Sequence, residues 1–391
     1  MSMNIIYSAV ICSEKKFREM FSGAVRKPGQ AVQKYNRLLA EGLALHKGSS
    51  VTVISELPID EENYSRRYMA RACERSRKVR YVYLPLLNIH RIKDILSVMT
   101  TFLECLRYMK GDGNDVVMSD ILCAPSAMGA YLAARIKKVP YVAVVTDLPE
   151  YVFGEKDRAY RKVSGILLDS ATHYIFLTDQ MNEKVNEDSR PYAVVEGMTD
   201  LRNINKKCDI HKHSKVKKCL YTGNLNAKYG INGLLDGFIK ADIPDTELHI
   251  CGSGELAATI NELSRKDKRI VYHGNVLSDE AVRMQKEADL LINPRPSVPE
   301  YTKYSFPSKT MEYMFSRVPL LTTDLPGIPD EYKKYVYLIK DESVDGIASA
   351  LKEVLGKPEE ERIAKGREAY EFVSRYKNNF LQATKVMEML G

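Results

Sequence analysis

The stretch NPRPSVPEYTKYSFPSKTMEYMFSRVPLLTT, Asn293 to Thr323, follows a short apolar run, Asp289-Leu290-Leu291-Ile292, that reads as a strand. A polar loop comes next, with prolines at Pro294, Pro296, Pro299 and Pro307. Ser308 to Phe315 then reads as a helix, and Pro307 stands at or before its first turn, where no backbone N–H is needed. The N–H groups around Ser305, Phe306, Pro307 and Ser308 belong to a helix start, which favours anions, and Lys309 adds positive charge. Glu312 lies four residues after Ser308 on the same helix face. A diphosphate on the helix end and a ribose on the carboxylate fit a sugar nucleotide. An ordinary loop-to-helix junction capped by Ser308 fits the same residues.

On both sides of this stretch, short β-rich runs alternate with helical patterns. In the first half the strands are Ile5–Ile11, Val51–Ile54, Val79–Tyr83, Asp115–Ser119, Pro140–Val145, Tyr174–Leu177 and Ala193–Gly197. Helices are expected over about Val32–Leu43, Arg91–Met109 and Ser126–Lys137. A polar, basic segment from Asp200 to Lys218 reads as a linker, and the alternation restarts at Cys219. Two successive α/β halves of this kind imply parallel sheets with helices on both faces. In such sheets ligands bind at the carboxyl ends of the strands.

The composition is that of a globular protein: 391 residues, 45% hydrophobic and 28% charged. No apolar run reaches the roughly 18 residues of a membrane span. The N-terminus, MSMNIIYSAVICSEKK, lacks a basic leader and runs into a strand, so a cytoplasmic protein is expected, with a peripheral place on the inner membrane face as an extension. Seven scattered cysteines without a C-x-x-C argue against a disulfide framework or a zinc site. From Asn63 to Lys110, eleven basic residues face three acidic ones, an excess larger than the +7 of the whole chain. Arg66, Arg67, Arg71, Arg75 and Arg77 are its densest part and suit an anionic surface such as membrane lipid, or else form a solvated face. Few aromatics accompany them, so nucleic acid is not the expected partner.

Three further loops follow strands. Gly223-Asn224-Leu225-Asn226-Ala227-Lys228-Tyr229-Gly230 carries two glycines that let a phosphate approach backbone, and Lys228 to neutralise it. Gly252-Ser253-Gly254 lacks the third glycine of a dinucleotide fingerprint, which sets aside an oxidoreductase. His273-Gly274-Asn275-Val276 ends the next strand, where a core histidine is the plain reading. In the first half, Asp147 ends a strand within Thr146-Asp147-Leu148-Pro149-Glu150, as a candidate to hold hydroxyls, orient an acceptor or take its proton, or else as a helix cap.

The segment from Cys219 to Thr323 resembles the donor half of retaining glycosyltransferases of the family-4 type, which have the GT-B fold. Its SFPSK…EY version resembles the branch that builds bacterial capsular, O-antigen and exopolysaccharide chains. VTDLPEY and AVVEGMTD in the first half are similar to the same family. The resemblance implies two Rossmann-like domains, residues 1–205 and 215–369, facing a central cleft, with a C-terminal tail, 370–391, crossing back to the first. It implies a nucleotide-sugar donor, UDP-linked in preference to GDP-linked, a glycan or lipid-linked acceptor, retention of configuration, and no metal or other cofactor.

By the same resemblance Gly223, Asn224, Gly252, Gly254, His273, Asn275, Val276 and Ser305 to Lys309 bind the donor, with Glu312 on the ribose. Gly29 matches the N-terminal glycine loop. Two departures stand out. Asn224 and Tyr229 occupy places where the family carries Arg and Lys, leaving Lys228 as the candidate cation. Tyr304 stands where the first carboxylate of the Glu-x7-Glu motif belongs, leaving Glu300 and Arg295 of the same loop as substitutes. Asp147, Lys228 and Glu300 are thus the catalytic candidates. A sugar-nucleotide epimerase and a binding partner without turnover are the alternatives.

Overall fold

The computed structural model describes residues 2–21, 30–59, 68–87, 92–204 and 215–391. Gly29, Arg66 and Arg67 lie outside them. The described chain divides into two compact units: residues up to Asp200 together with Asn378–Gly391, and Leu201–Lys377.

Among the described residues the first unit holds ten strands: β1 (Met3–Ser8), β2 (Ser49–Ser55), β3 (Tyr68–Met69), β4 (Ala72–Ser76), β5 (Val79–Tyr83), β6 (Leu86–Leu87), β7 (Asp115–Asp120), β8 (Tyr141–Val145), β9 (His173–Phe176) and β10 (Tyr192–Val194). Eight form one sheet in the order β10-β9-β8-β7-β1-β2-β5-β4, and β3 pairs with β6 separately. All neighbours in the large sheet run parallel except β4 against β5. Every residue of β1, β7 and β8 is buried. That is why these strands read as continuous apolar runs rather than as alternating ones.

The antiparallel β4–β5 hairpin was not expected. Its turn is Arg77-Lys78, with φ of 55° and 66°, a geometry usually supplied by Asn or Gly. The hairpin also uses part of the basic stretch. The Arg71 guanidinium donates two hydrogen bonds to Glu104, at 2.6 and 2.9 Å. Arg77 pairs with Glu14 at 2.5 Å and with Glu41 at 3.2 Å. Two of the arginines assigned to an anionic surface are therefore engaged within the fold, while Arg75 is exposed on the sheet-edge strand β4.

The second unit holds β11 (Lys217–Asn224), β12 (Thr246–Ser253), β13 (Ile270–Tyr272), β14 (Leu290–Asn293), β15 (Leu320–Thr323) and β16 (Tyr337–Ile339). They form an all-parallel sheet in the order β13-β12-β11-β14-β15-β16. The chain winds outward from β11 to β13, then returns to the other side of β11 and winds outward again to β16. The reversal lies between β11 and β14. In doubly wound sheets the ligand crevice opens at such a point, beyond the strand carboxyl ends. The loops there are those after Asn224 and Asn293.

The C-terminal tail divides later than expected. Helix Glu359–Tyr376 stays with the second unit: Phe372 stacks on Tyr335 at 4.5 Å and meets Tyr332 edge-on at 5.0 Å. A notional Cβ on Gly366 would lie 2.3 Å from the Arg317 carbonyl oxygen, so only glycine permits that approach. The helix breaks at Lys377-Asn378. Asn378 caps the next helix, Asn379–Met389, by accepting from Leu381 N at 3.1 Å. This last helix belongs to the first unit. His46 stacks on Phe380 at 4.5 Å, and the Thr199 carbonyl accepts from Asn379 N at 2.9 Å. The returning segment is thus 378–391 rather than 370–391.

Candidate functional site in the second unit

Helix Ser308–Phe315 starts where the reading of Asn293–Thr323 placed it, with Pro307 as the residue before its first turn. Two side chains tie this helix to the end of β11. The Tyr313 hydroxyl accepts from Thr222 N at 2.8 Å, and Lys309 Nζ donates to Thr222 Oγ1 at 3.3 Å. The Lys309 stem lies over Gly223: a notional Cβ there would come within 2.5 Å of Lys309 Cε. Gly223 is what lets the lysine lie across the strand end. Burial pushes the Tyr313 phenol well above its ordinary pKa, so it stays protonated. Gln285 donates to the same Thr222 Oγ1 at 3.2 Å. Neither Thr222 nor Tyr313 was among the expected residues, because 91 positions separate them and only the fold joins them.

The glycine turns interlock. Gly223 and Gly252 are register partners on β11 and β12. Gly252, at φ 146°, would place a Cβ 1.7 Å from the Gly223 carbonyl oxygen. Gly252 N donates to Gly274 O at 2.7 Å, which links this turn to His273-Gly274. Gly254, at φ 157°, lies against Leu225 and the Asn226 side chain. Asn226 Oδ1 accepts from Glu255 N at 3.2 Å, and Glu255 accepts from Ala227 N at 2.7 Å. Asn224 Oδ1 accepts from Asn226 N at 2.9 Å, so this side chain folds its own loop. Gly230, at φ 80°, would press a Cβ to 1.9 Å from Pro294 O, so the loops after β11 and β14 touch.

The cations are placed unequally. Lys228 is exposed, with its Nζ 5.4 Å from the Tyr229 ring centre. Arg295 is half-buried between two aromatic rings, 5.7 Å from Tyr229 and 5.0 Å from Tyr301. Its Nε is buried and has no hydrogen-bond acceptor among the described residues. The Arg295 loop is pinned by Glu342, whose two carboxylate oxygens accept from Ser297 N at 3.1 Å each. Glu300 is exposed and begins a 3-10 turn, Glu300–Tyr304. Ser305, Phe306 and Pro307 are buried, with Phe306 5.2 Å from Tyr332, while Ser308 is exposed and Glu312 half-exposed. Asp147 follows β8 in the first unit, and Leu148, not Asp147, is the residue that precedes the short helix Pro149–Val152.

His273 is exposed rather than in the core. Its Nε2 lies 2.9 Å from His249 Nδ1, and His249 Nε2 lies 2.9 Å from Glu247. The pair lines a cavity of about 230 Å³ with Lys218, Glu280, Arg283 and Glu287. Asn275 is exposed and Val276 half-buried in the same loop. Partial desolvation at the cavity mouth, then the neighbouring His249, hold His273 below its ordinary pKa of 6.5. The folded state therefore takes up fewer protons than the unfolded chain as pH falls through 6.5, and stability drops with it, levelling off below the depressed pKa. Thermal melts between pH 7.5 and 5 are expected to show this loss, and His273→Gln to reduce its slope; an unchanged slope in the variant contradicts the assignment.

Residues 216–357 match a family model, that of glycosyl transferases group 1. No curated protein matches the chain. Solved structures match it over nearly its whole length. Sucrose-phosphate synthase from Thermosynechococcus elongatus is 16% identical with a TM-score of 0.69, over 99% of this chain and 98% of that one. The Anabaena protein HepE in complex with UDP is 13% identical with a TM-score of 0.64, over 100% and 99%. The trehalose 6-phosphate synthase from Burkholderia multivorans is 12% identical with a TM-score of 0.64, over 100% and 96%. The fold is GT-B. The match to the group 1 glycosyltransferase model lies within the second unit and spans the reversal point between β11 and β14.

Proposed function

We propose that the protein is a retaining glycosyltransferase that moves a sugar from a UDP-sugar to a glycan or lipid-linked acceptor in the building of cell-surface polysaccharide. The observation that carries this reading is the seat of Lys309 across Gly223, at the start of a helix that abuts the reversal point of the sheet. A departing diphosphate held there meets a fixed cation and a helix N-terminus together, and preorganised charge of this kind is the main lever on such a reaction. In the reaction the bond from the anomeric carbon to the diphosphate oxygen breaks. The acceptor oxygen bonds to that carbon on the same face, and its proton passes to the leaving phosphate. Glu312 takes the ribose hydroxyls. Lys309, Arg295 and Lys228 balance the phosphate charge, and no metal is required.

Tyr304 in place of a carboxylate favours one rival, a GT-B binding partner that holds the nucleotide without turnover. A panel of UDP- and GDP-sugars, each with and without glycan acceptors, separates the readings. Release of UDP with a product of the donor's anomeric configuration, unchanged by EDTA, is the expected outcome. An inverted product, or an epimerised sugar from donor alone, contradicts it; nucleotide binding without any product supports the rival.

A further inference from the structure

Four large apolar side chains are exposed along helix Ile92–Tyr108: Ile92 at 47%, Ile95 at 63%, Met99 at 56% and Leu103 at 59%. Their spacing of three, four and four residues puts them on one face, in a stripe about 16 Å long. The opposite face is the packed one. Ser97, Thr101, Glu104 and Cys105 are buried, and the helix crosses Ala124–Lys137 so closely that a Cβ on Gly129 would lie 2.3 Å from Val98 O. Among the described residues nothing covers the stripe, which is a surface rather than the edge of a core.

The charge beside it is of one sign. Helix Ile92–Tyr108 leads into β7, and helix Ala124–Lys137 leads from β7 to its parallel neighbour β8. Both helices therefore end at the amino edge of the sheet. Arg107 and Lys110 close the first; Arg135, Lys137 and Lys138 close the second, and all five are exposed. Ile136, 62% exposed, sits among them. The acidic side chains on these segments are few or spent: Glu104 binds Arg71 and lies 3.7 Å from Arg107, Asp94 accepts from Tyr160, Asp115 is buried, and Asp112 alone is exposed.

We infer that this face docks on an anionic lipid bilayer, with the stripe entering the boundary between headgroups and acyl chains and the basic ends of the two helices resting on lipid phosphates. An apolar stripe lying in the interface with cations at its margin is how amphipathic helices bind membranes, and each cation near an anionic surface adds to the attraction. A second protein is the poorer fit. Four side chains of one helix supply only part of the ~800 Å² that a partner contributes to a stable interface. The inference deepens the lipid-linked part of the proposed function and moves the docking surface away from Arg71 and Arg77, whose side chains are about one-third exposed in short ion pairs, whereas that of Arg107 is 65% exposed.

The test is co-sedimentation of the full chain with phosphatidylcholine vesicles, with and without phosphatidylglycerol, at low and high salt. The wild type is expected to pellet with the anionic vesicles and to be released by salt. The triple variant Ile95→Ser, Met99→Ser, Leu103→Ser is expected to lose at least about tenfold in apparent affinity, because three apolar side chains no longer leave water. Arg107→Glu with Lys137→Glu is expected to abolish the preference for phosphatidylglycerol. All replaced residues are exposed, so unchanged melting and unchanged UDP binding are the controls. Equal pelleting of the triple variant and the wild type overturns the inference. So does a wild-type dimer that the triple variant converts to monomer, which would make a second copy the occupant. Failure of the wild type to bind UDP sinks the transferase reading and leaves this one standing on the vesicle result.

Discussion

Lys309→Ala is expected to lower donor turnover by about two to three orders of magnitude while the protein melts as the wild type does, the size of effect seen when one preorganised charge-stabilising group is removed. The lysine is half-buried, its stem is held against Gly223, and its ammonium is anchored 3.3 Å from Thr222 Oγ1. A cation fixed this way loses little entropy when the diphosphate charge develops beside it. Lys309→Met keeps the stem and removes the charge, so it separates packing from electrostatics and is expected to be as slow as alanine. Lys228→Ala is expected to cost far less, because that side chain is exposed and its charge is screened by water. Steady-state rates of nucleotide release measure all three, and wild-type rates in both Lys309 variants would refute the site.

The second large effect is on stability. Gly252→Ala is expected to cost roughly 3 kcal/mol or more, because its Cβ would lie 1.7 Å from the Gly223 carbonyl at a φ of 146° that side chains rarely adopt. To relieve the clash β12 must move away from β11, which opens the turn that faces the phosphate. Loss of nucleotide binding should therefore accompany the lower melting temperature. Gly274→Ala is the contrast. Its φ is 68°, yet nothing lies within 4 Å of a Cβ there, so only the cost of the left-handed backbone remains, about 1 kcal/mol. Melting curves of the two variants compared with the wild type give the difference directly, and a Gly252→Ala protein as stable as Gly274→Ala would show that the strands do not close in this way.

What the sequence made legible was what local chemistry controls. Apolar runs such as Met3–Ser8 and Asp115–Asp120 are strands because parallel strands are buried on both faces, and the proline before Ser308 marks the start of a helix. Their alternation on both sides of a polar linker carries the two-unit architecture. The hidden parts depend on long-range register. The Arg77-Lys78 turn carries none of the usual turn residues, so the β4–β5 hairpin could not be seen in it. The Arg71–Glu104 pair joins residues 33 apart, and a sum of charges along the chain does not reveal that the arginine is occupied. His273 looked like a core residue, yet it meets His249 only because β12 and β13 lie side by side. Arg295 gained weight over Lys228 through Tyr229 and Tyr301, which flank it on different loops. The tail was placed correctly in kind but not in extent, since its break depends on Asn378 capping the final helix.

The central claim is that the loops after β11 and β14 hold a nucleoside diphosphate. Calorimetric titration with UDP, UMP and GDP, in EDTA, tests it most directly. The account predicts saturable one-to-one binding of UDP, weaker binding of UMP for want of the second phosphate, and a loss of the UDP–UMP difference in Lys309→Ala. Absence of heat with both UDP and GDP, or a UDP–UMP difference that survives in Lys309→Ala, would contradict it.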